Sequence, residues 1–170
     1  SLDFPGHAIG GLSVGESKED MLASIEVVNA VLPESKPRYL MGVGTPYDLI
    51  ESIRRGVVMF DCVLPTRLAR HSAAQTLSGR MNLMNAQYAR DERPIDETCT
   101  CYACRYYSRA YLRHLIRARE MLGATLISIH NIHTLVHLAH SLRQAILAGT
   151  FEQAATALLE NIPLSERTNA

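Results

Sequence analysis

Charge of one sign is missing from this sequence: seventeen basic and seventeen acidic side chains cancel. That balance gives no global argument for a nucleic-acid partner, although it leaves room for a local basic surface. No apolar run reaches the length of a membrane-spanning helix, so no membrane partner is expected. No signal peptide opens the chain, and nothing points to secretion. Cysteine is scarce as well: three of the four lie between Cys99 and Cys104, and Cys62 stands far away. A disulfide framework is therefore not expected, and the cytoplasm is the natural setting. Internal repeats and low-complexity tracts are absent beyond a loose strand–helix alternation. The chain opens on Ser1 and its first segment reads like the middle of something, so a truncated N-terminus is expected.

What is present is a core-forming chain of 170 residues, almost half of them apolar. Three units of similar grammar come first. The short apolar piece His7–Gly11 is followed by Ser17 as a helix cap, with Leu22, Ile25, Val28 and Leu32 at helical spacing and Pro33 as a stop. Tyr39–Val43 leads through Thr45 as cap and Pro46 at the first helical position into a helix closed by Gly56. Val57–Leu64 opens the third unit and breaks at Pro65. This alternation predicts a parallel sheet in an α/β fold. Three strands cannot close a barrel, so the sheet is expected to have missing neighbours. Beyond Pro65, Ser78-Gly79 predicts a hairpin between Ala74–Leu77 and Arg80–Leu83. Helices are predicted at about Tyr106–Leu122 ending at Gly123, at His130–Ala148 ending at Gly149, and near Glu152–Glu160, with a frayed tail from Pro163.

Cys99-x-Cys101-x-x-Cys104 places three thiols in one tight turn. Thiolates and an imidazole fill a tetrahedral zinc site, and four protein ligands leave no open position for hydrolysis, so one structural zinc ion is expected. The fourth ligand is drawn from His130, His133, His137 and His140, which recur at three- and four-residue steps. Spacing alone favours His130 over His133 and leaves both open. The remaining histidines read as a second metal site or as a half-exposed polar face.

Asp61 is the one charged residue in Val57–Leu64. In parallel α/β barrels, catalytic groups stand at the carboxyl ends of strands. Gly10-Gly11 and Met41-Gly42 occupy equivalent strand ends, where glycine allows close approach to the backbone and methionine offers a polarisable contact for an aromatic base. The pattern reads either as a pocket for a planar ligand beside a carboxylate nucleophile or as a packed interior with glycines serving turns. Arg105, Arg109, Arg113 and Arg117 recur every four residues and read either as a phosphate-binding ridge or as a solvated helix face.

The segments His7–Glu16 (HAIGGLSVGE), Arg38–Gly44 (RYLMGVG), Met59–Arg67 (MFDCVLPTR), Cys99–Cys104 (CTCYAC), Ser108–Leu112 (SRAYL) and His130-Asn131 together closely resemble tRNA-guanine transglycosylases of the bacterial type. The resemblance covers nearly the whole chain and corresponds to the C-terminal half of the family's chain. It implies the last three strand–helix units of a (β/α)8 TIM barrel plus a zinc-binding, mostly helical subdomain. The corresponding segments are 1–70 for the barrel part with base pocket and nucleophile, 71–149 for the hairpin, zinc subdomain and following helices, and 150–170 for the terminal helix and tail.

The resemblance further implies a pentosyltransferase. Family members exchange guanine in tRNA for a 7-deazaguanine without a nucleoside triphosphate. The bacterial type inserts 7-aminomethyl-7-deazaguanine, the queuosine precursor, at the wobble position of the anticodon loop. Asp61 matches the nucleophile, in a double displacement with the logic of retaining glycosidases. Gly11 and Leu12 match backbone groups that recognise the base, with Glu16 supporting them. Met41 matches the side chain that stacks on the base, with Tyr39 and Gly42 beside it. Arg67 and Arg70 match contacts to anticodon RNA. The family's zinc ligands fall on Cys99, Cys101, Cys104 and His130. Val14 stands where eukaryotic queuine-inserting relatives carry glycine, which favours the bacterial precursor. The family's second catalytic aspartate belongs to the N-terminal half and maps onto nothing here, so the fragment is expected to be inactive alone. A homodimer is implied for the full-length protein, with Tyr111 and His114 as interface residues. The alternative function is a non-catalytic RNA-binding or partner subunit of the same family.

Overall fold

Ser17 and Thr45 start the first two helices as their chemistry requires. In the computed structural model, which describes residues 3–168, the Ser17 hydroxyl accepts from the Asp20 N–H and that of Thr45 from the Asp48 N–H, both at 3.1 Å. Each satisfies an amide that the first helical turn leaves without a partner. The helices are α1 (Lys18–Asn29) and α2 (Pro46–Arg54). They alternate with β1 (His7–Ile9), β2 (Arg38–Leu40) and β3 (Met59–Phe60).

The three strands form a parallel sheet in the order β1-β2-β3, with Ile9 opposite Leu40 and Leu40 opposite Phe60. Ile25 and Leu40 are fully buried, and Ile9, Met21, Leu22, Val43 and Val57 pack with them. Burying such side chains contributes about 1.5–3 kcal/mol each. Lys18 and Asp48, both nearly buried, pair at 2.5 Å and tie α1 to α2. With Leu142 onward, this segment up to Val63 forms one compact unit. That unit includes α7 (Phe151–Asn161), where Glu152 pairs with Arg54 at 3.1 Å, and α8 (Leu164–Thr168).

The second unit runs from Leu64 to Ser141. It holds α3 (Leu64–Arg70) and a hairpin of β4 (Ala73–Thr76) and β5 (Gly79–Asn82), with Ala74 opposite Met81. A single 3₁₀ turn at Ala86–Tyr88 follows, then α4 (Tyr102–Tyr106) and α5 (Arg109–Arg117). The long α6 (Met121–Leu147) continues past this unit's end. Leu83, Ile95, Ala103, Leu112, Leu126 and Ile127 form the unit's core.

Four local expectations are corrected. Pro65 starts α3 instead of breaking the chain, because a proline in the first turn has no amide to lose there. The predicted Tyr106–Leu122 helix is interrupted: Tyr107 is extended, and the Ser108 hydroxyl caps α5 by accepting from the Tyr111 N–H. Gly123 does not end a helix but lies inside α6. A Cβ there would come within 3.2 Å of Leu115 Cβ, so its smallness serves the close approach of α5. The tail after Pro163 is helical, and the Arg167 guanidinium holds it by donating to the carbonyls of Ile162 and Leu159.

Candidate functional site

The first unit gathers its chemistry at the C-terminal ends of its strands. Asp61 directly follows β3, and one carboxylate oxygen, Oδ1, accepts from the Tyr39 hydroxyl at 2.7 Å and from the Gly42 N–H at 2.9 Å. Gly42 has φ of +74°, a conformation that aims its amide at the carboxylate and that glycine adopts without strain. The Tyr39 hydroxyl, and after it the Gly42 amide, hold the Asp61 carboxyl below the ordinary carboxylate range. The same bond pushes the Tyr39 hydroxyl up, so it stays a donor. Asp61 is exposed, so the carboxylate is ionised at neutral pH and open to a ligand.

Beside it, Met41 is half-exposed, its amide donates to Ile9 O at 3.1 Å, and its sulfur lies 3.5 Å from where a Gly10 Cβ would stand. Gly11, with φ of +75°, and Leu12 follow β1. The Glu16 carboxylate accepts from the amides of Ser13 and Val14, which fixes this loop and holds the Glu16 carboxyl low. The structure thus brings Gly11, Leu12, Glu16, Tyr39, Met41, Gly42 and Asp61 to one end of one sheet. Arg67 and Arg70 are exposed on α3 of the second unit.

The second unit holds the other candidate centre. The donor atoms of Cys99, Cys101, Cys104 and His130 all lie within 4.8 Å of one another, the one such group among the described residues. His130 Nδ1 lies 3.6, 3.7 and 3.3 Å from the sulfurs of Cys99, Cys101 and Cys104 in turn. Metal–sulfur and metal–nitrogen bonds of about 2.3 and 2.0 Å at tetrahedral angles separate S from N by about 3.5 Å, so the donor set fits a four-coordinate ion.

The imidazole is prepared for that role. Its Nε2–H donates to Gln75 O at 3.0 Å, which leaves Nδ1 with its lone pair toward the thiols. Burial pushes the His130 pKa down to about 4, so the ring is neutral. Burial likewise pushes the Cys104 and Cys99 thiols up, a penalty that a bound cation reverses. Asn131, fully buried, accepts from the Gln75 N–H at 2.7 Å and donates to Pro65 O and Ala73 O, which fixes the hairpin under the histidine.

His133, the rival by spacing, lies outside the four-donor group; its ring stacks on His137 at 6.0 Å between centroids. The arginine ridge is also revised. Arg109 donates to Asp91 and to Ile95 O, both at 2.9 Å, and Arg113 donates to Met84 O and Asn85 O. Only Arg105 and Arg117 of the four are exposed. Two residues escaped the sequence reading. Gln75 acts through a backbone carbonyl that any residue carries, and Asp91 lies in a polar stretch with no periodic signal. Tyr107 and Tyr111 stack at 5.4 Å on the same face as Tyr102.

A family model described as queuine tRNA-ribosyltransferase matches residues 1–163. The chain is 56% identical over 160 residues to the queuine tRNA-ribosyltransferase of Moorella thermoacetica, which covers 94% of this chain and 43% of that protein. It is 58% identical to the relative from Symbiobacterium thermophilum, over 94% of this chain and 40% of that protein. The relative from Bacillus subtilis is 58% identical over 86% of this chain and 38% of its own length. The chain therefore spans about two fifths of the length of the curated relatives it matches.

Proposed function

The chain belongs to the queuine tRNA-ribosyltransferase family, and on that premise we propose that it supplies the nucleophile half of a tRNA-guanine transglycosylase. The observation that carries this reading is the Asp61 carboxylate, held by Tyr39 and Gly42 at the end of a parallel sheet beside Met41. Oδ1 is engaged by two donors, which leaves Oδ2 to attack the ribose C1′ of a wobble guanosine. The C1′–N9 bond breaks and guanine leaves with the electron pair and takes up a proton. N9 of 7-aminomethyl-7-deazaguanine, giving up its proton to solvent, then attacks C1′ and expels the carboxylate. Two inversions give net retention. The donors that keep Asp61 ionised also make it the better leaving group in the second step.

The base reaches this site only after leaving its stack. Met41 provides the polarisable face against it, the Gly11–Leu12 backbone held by Glu16 recognises its edge, and Arg67 and Arg70 contact the anticodon backbone. The side chain of Val14 selects the smaller precursor base. The three strand–helix units belong to a (β/α)8 barrel whose other strands lie in the remaining three fifths of the family's length. The second unit carries one zinc ion on Cys99, Cys101, Cys104 and His130: three thiolates and one imidazole are the donor set zinc prefers. The ion would brace the hairpin and α4 without touching the base. The Tyr102–Tyr107–Tyr111 face, with His114, suits a homodimer contact of the full-length protein.

No helix among the described residues is long and apolar enough to cross a membrane, in keeping with a cytoplasmic tRNA-processing role. Retention of Asp61, Gly11 and Met41 favours an enzyme over a non-catalytic subunit. The test is a covalent RNA adduct, trapped on the barrel that contains this chain and lost in Asp61→Asn. The 170-residue chain alone is expected to incorporate no labelled guanine into tRNA; incorporation would refute the assignment of half the site to the rest of the barrel.

A further inference from the structure

Resting on the reading that the Cys99–His130 cluster binds a metal ion, we propose that His133 and His137 form its entry port. They would take the ion from water and hand it to Cys99. Of the four ligands, Cys101, Cys104 and His130 are 3%, 9% and 0% exposed, whereas Cys99 is half-buried. Cys99 lines a cavity of about 120 Å³ together with His133, His137, Asp96 and Thr134. A water's share of the liquid is about 30 Å³, so the space admits a partly hydrated divalent ion.

The donors in this cavity are arranged for capture and release. His133 and His137 are one helical turn apart on α6 with their rings stacked at 6.0 Å, and their i, i+4 spacing lets the two imidazoles turn onto one ion. No hydrogen-bond partner of either ring is found among the described residues. Asp96 adds a negative charge to the wall; its Oδ1 is already fixed by the Thr98 amide and hydroxyl at 2.8 and 2.7 Å. Two imidazoles without a third close ligand hold an ion weakly, as a transfer site requires. A second cavity, against Cys104, is lined by Tyr106, Tyr107, Tyr111, Glu92 and Arg105. It has no imidazole, and its Arg105 offsets the charge of Glu92.

The transfer is ligand exchange without redox change. The hydrated ion gives up waters to His133 and His137. Cys99 would then release its proton to solvent as its sulfur takes the ion, and Cys101 and Cys104, each likewise losing a proton to solvent, would displace the two imidazoles together with His130 Nδ1.

The probe is Co²⁺ alone, added to the metal-free chain and followed by its thiolate charge-transfer absorption. Release of zinc from the loaded chain to a chelator is the reverse measurement. In His133→Gln/His137→Gln, with helical content checked by circular dichroism, loading and release are both expected to slow about tenfold, because the local ion concentration at Cys99 is lost. Equilibrium affinity is expected to stay unchanged. Unchanged rates, or a loss of affinity with release unaltered, would overturn the proposal. So would slower exchange in Tyr106→Leu at the other cavity. A chain that never develops the cobalt–thiolate band would instead refute the metal centre itself.

Discussion

The Tyr39 hydroxyl donates to Asp61 Oδ1 at 2.7 Å, across from β2 to the loop after β3. The register that sets Tyr39 opposite Met59 and Leu40 opposite Phe60 brings the two side chains to the same end of the sheet. This bond is the largest cause of the low Asp61 pKa. Tyr39→Phe is therefore expected to raise the Asp61 pKa toward its ordinary value. A ¹³C carboxyl titration reads the shift directly, and an unmoved titration would sink the assignment. In the assembled enzyme, the acid limb of the pH–rate profile should move to higher pH, since the nucleophile must be ionised.

Asp91 is gripped by Arg93 and Arg109, each at 2.9 Å, and its carboxyl is held far below the ordinary value of 3.8. A folded-state pKa below the unfolded one contributes stability above the unfolded pKa, and that stability is lost as pH falls through the folded value. Asp91→Asn is expected to melt lower than the parent at neutral pH. The gap should narrow as pH drops below about 4. Thermal melts across that range test it; a gap independent of pH would refute the ion-pair account.

Removing the metal should loosen the Cys99–Cys104 turn and α4 before the rest. At such sites the binding free energy, about 10 kcal/mol or more in small zinc peptides, is folding free energy. A chelator is expected to lower hydrogen-exchange protection in α4 and the Cys99–Cys104 turn while α1, α2 and α6 stay protected. Uniform loss or uniform retention of protection would count against a local bracing role.

Gly44→Ala is expected to cost about 1–3 kcal/mol, the range for overpacking. An added Cβ would stand 2.4 Å from Cys62 Cβ and 2.9 Å from its sulfur. Because the closest clash is with the Cys62 Cβ, Cys62→Gly should recover part of the loss in a double-mutant cycle. Additive effects measured by denaturant unfolding would show that the two positions are not in contact.

Much of this could be read from the sequence because the signals are local. A hydroxyl at Ser17 or Thr45, a proline at position 46 and a glycine at position 56 act on amides and torsions within one turn of themselves, so they fixed α1 and α2 and their ends. The thiol spacing Cys99-x-Cys101-x-x-Cys104 marked a metal centre for the same reason, and the family motifs carried Asp61 and its neighbours. Choices between equally spaced candidates belonged to the tertiary structure. Histidines 130 and 133 share a helix and a chemistry. Only the packing of α6 against the hairpin puts one beside the Gln75 carbonyl and the thiols and turns the other toward His137. The arginines four residues apart look alike until Asp91 and the 84–85 carbonyls claim two of them. Gly123 reads as a stop until the side chains of α5 need its missing Cβ. Local chemistry sets which groups are available, and long-range packing decides which partners they meet, because burial and distance exist only once the chain has folded.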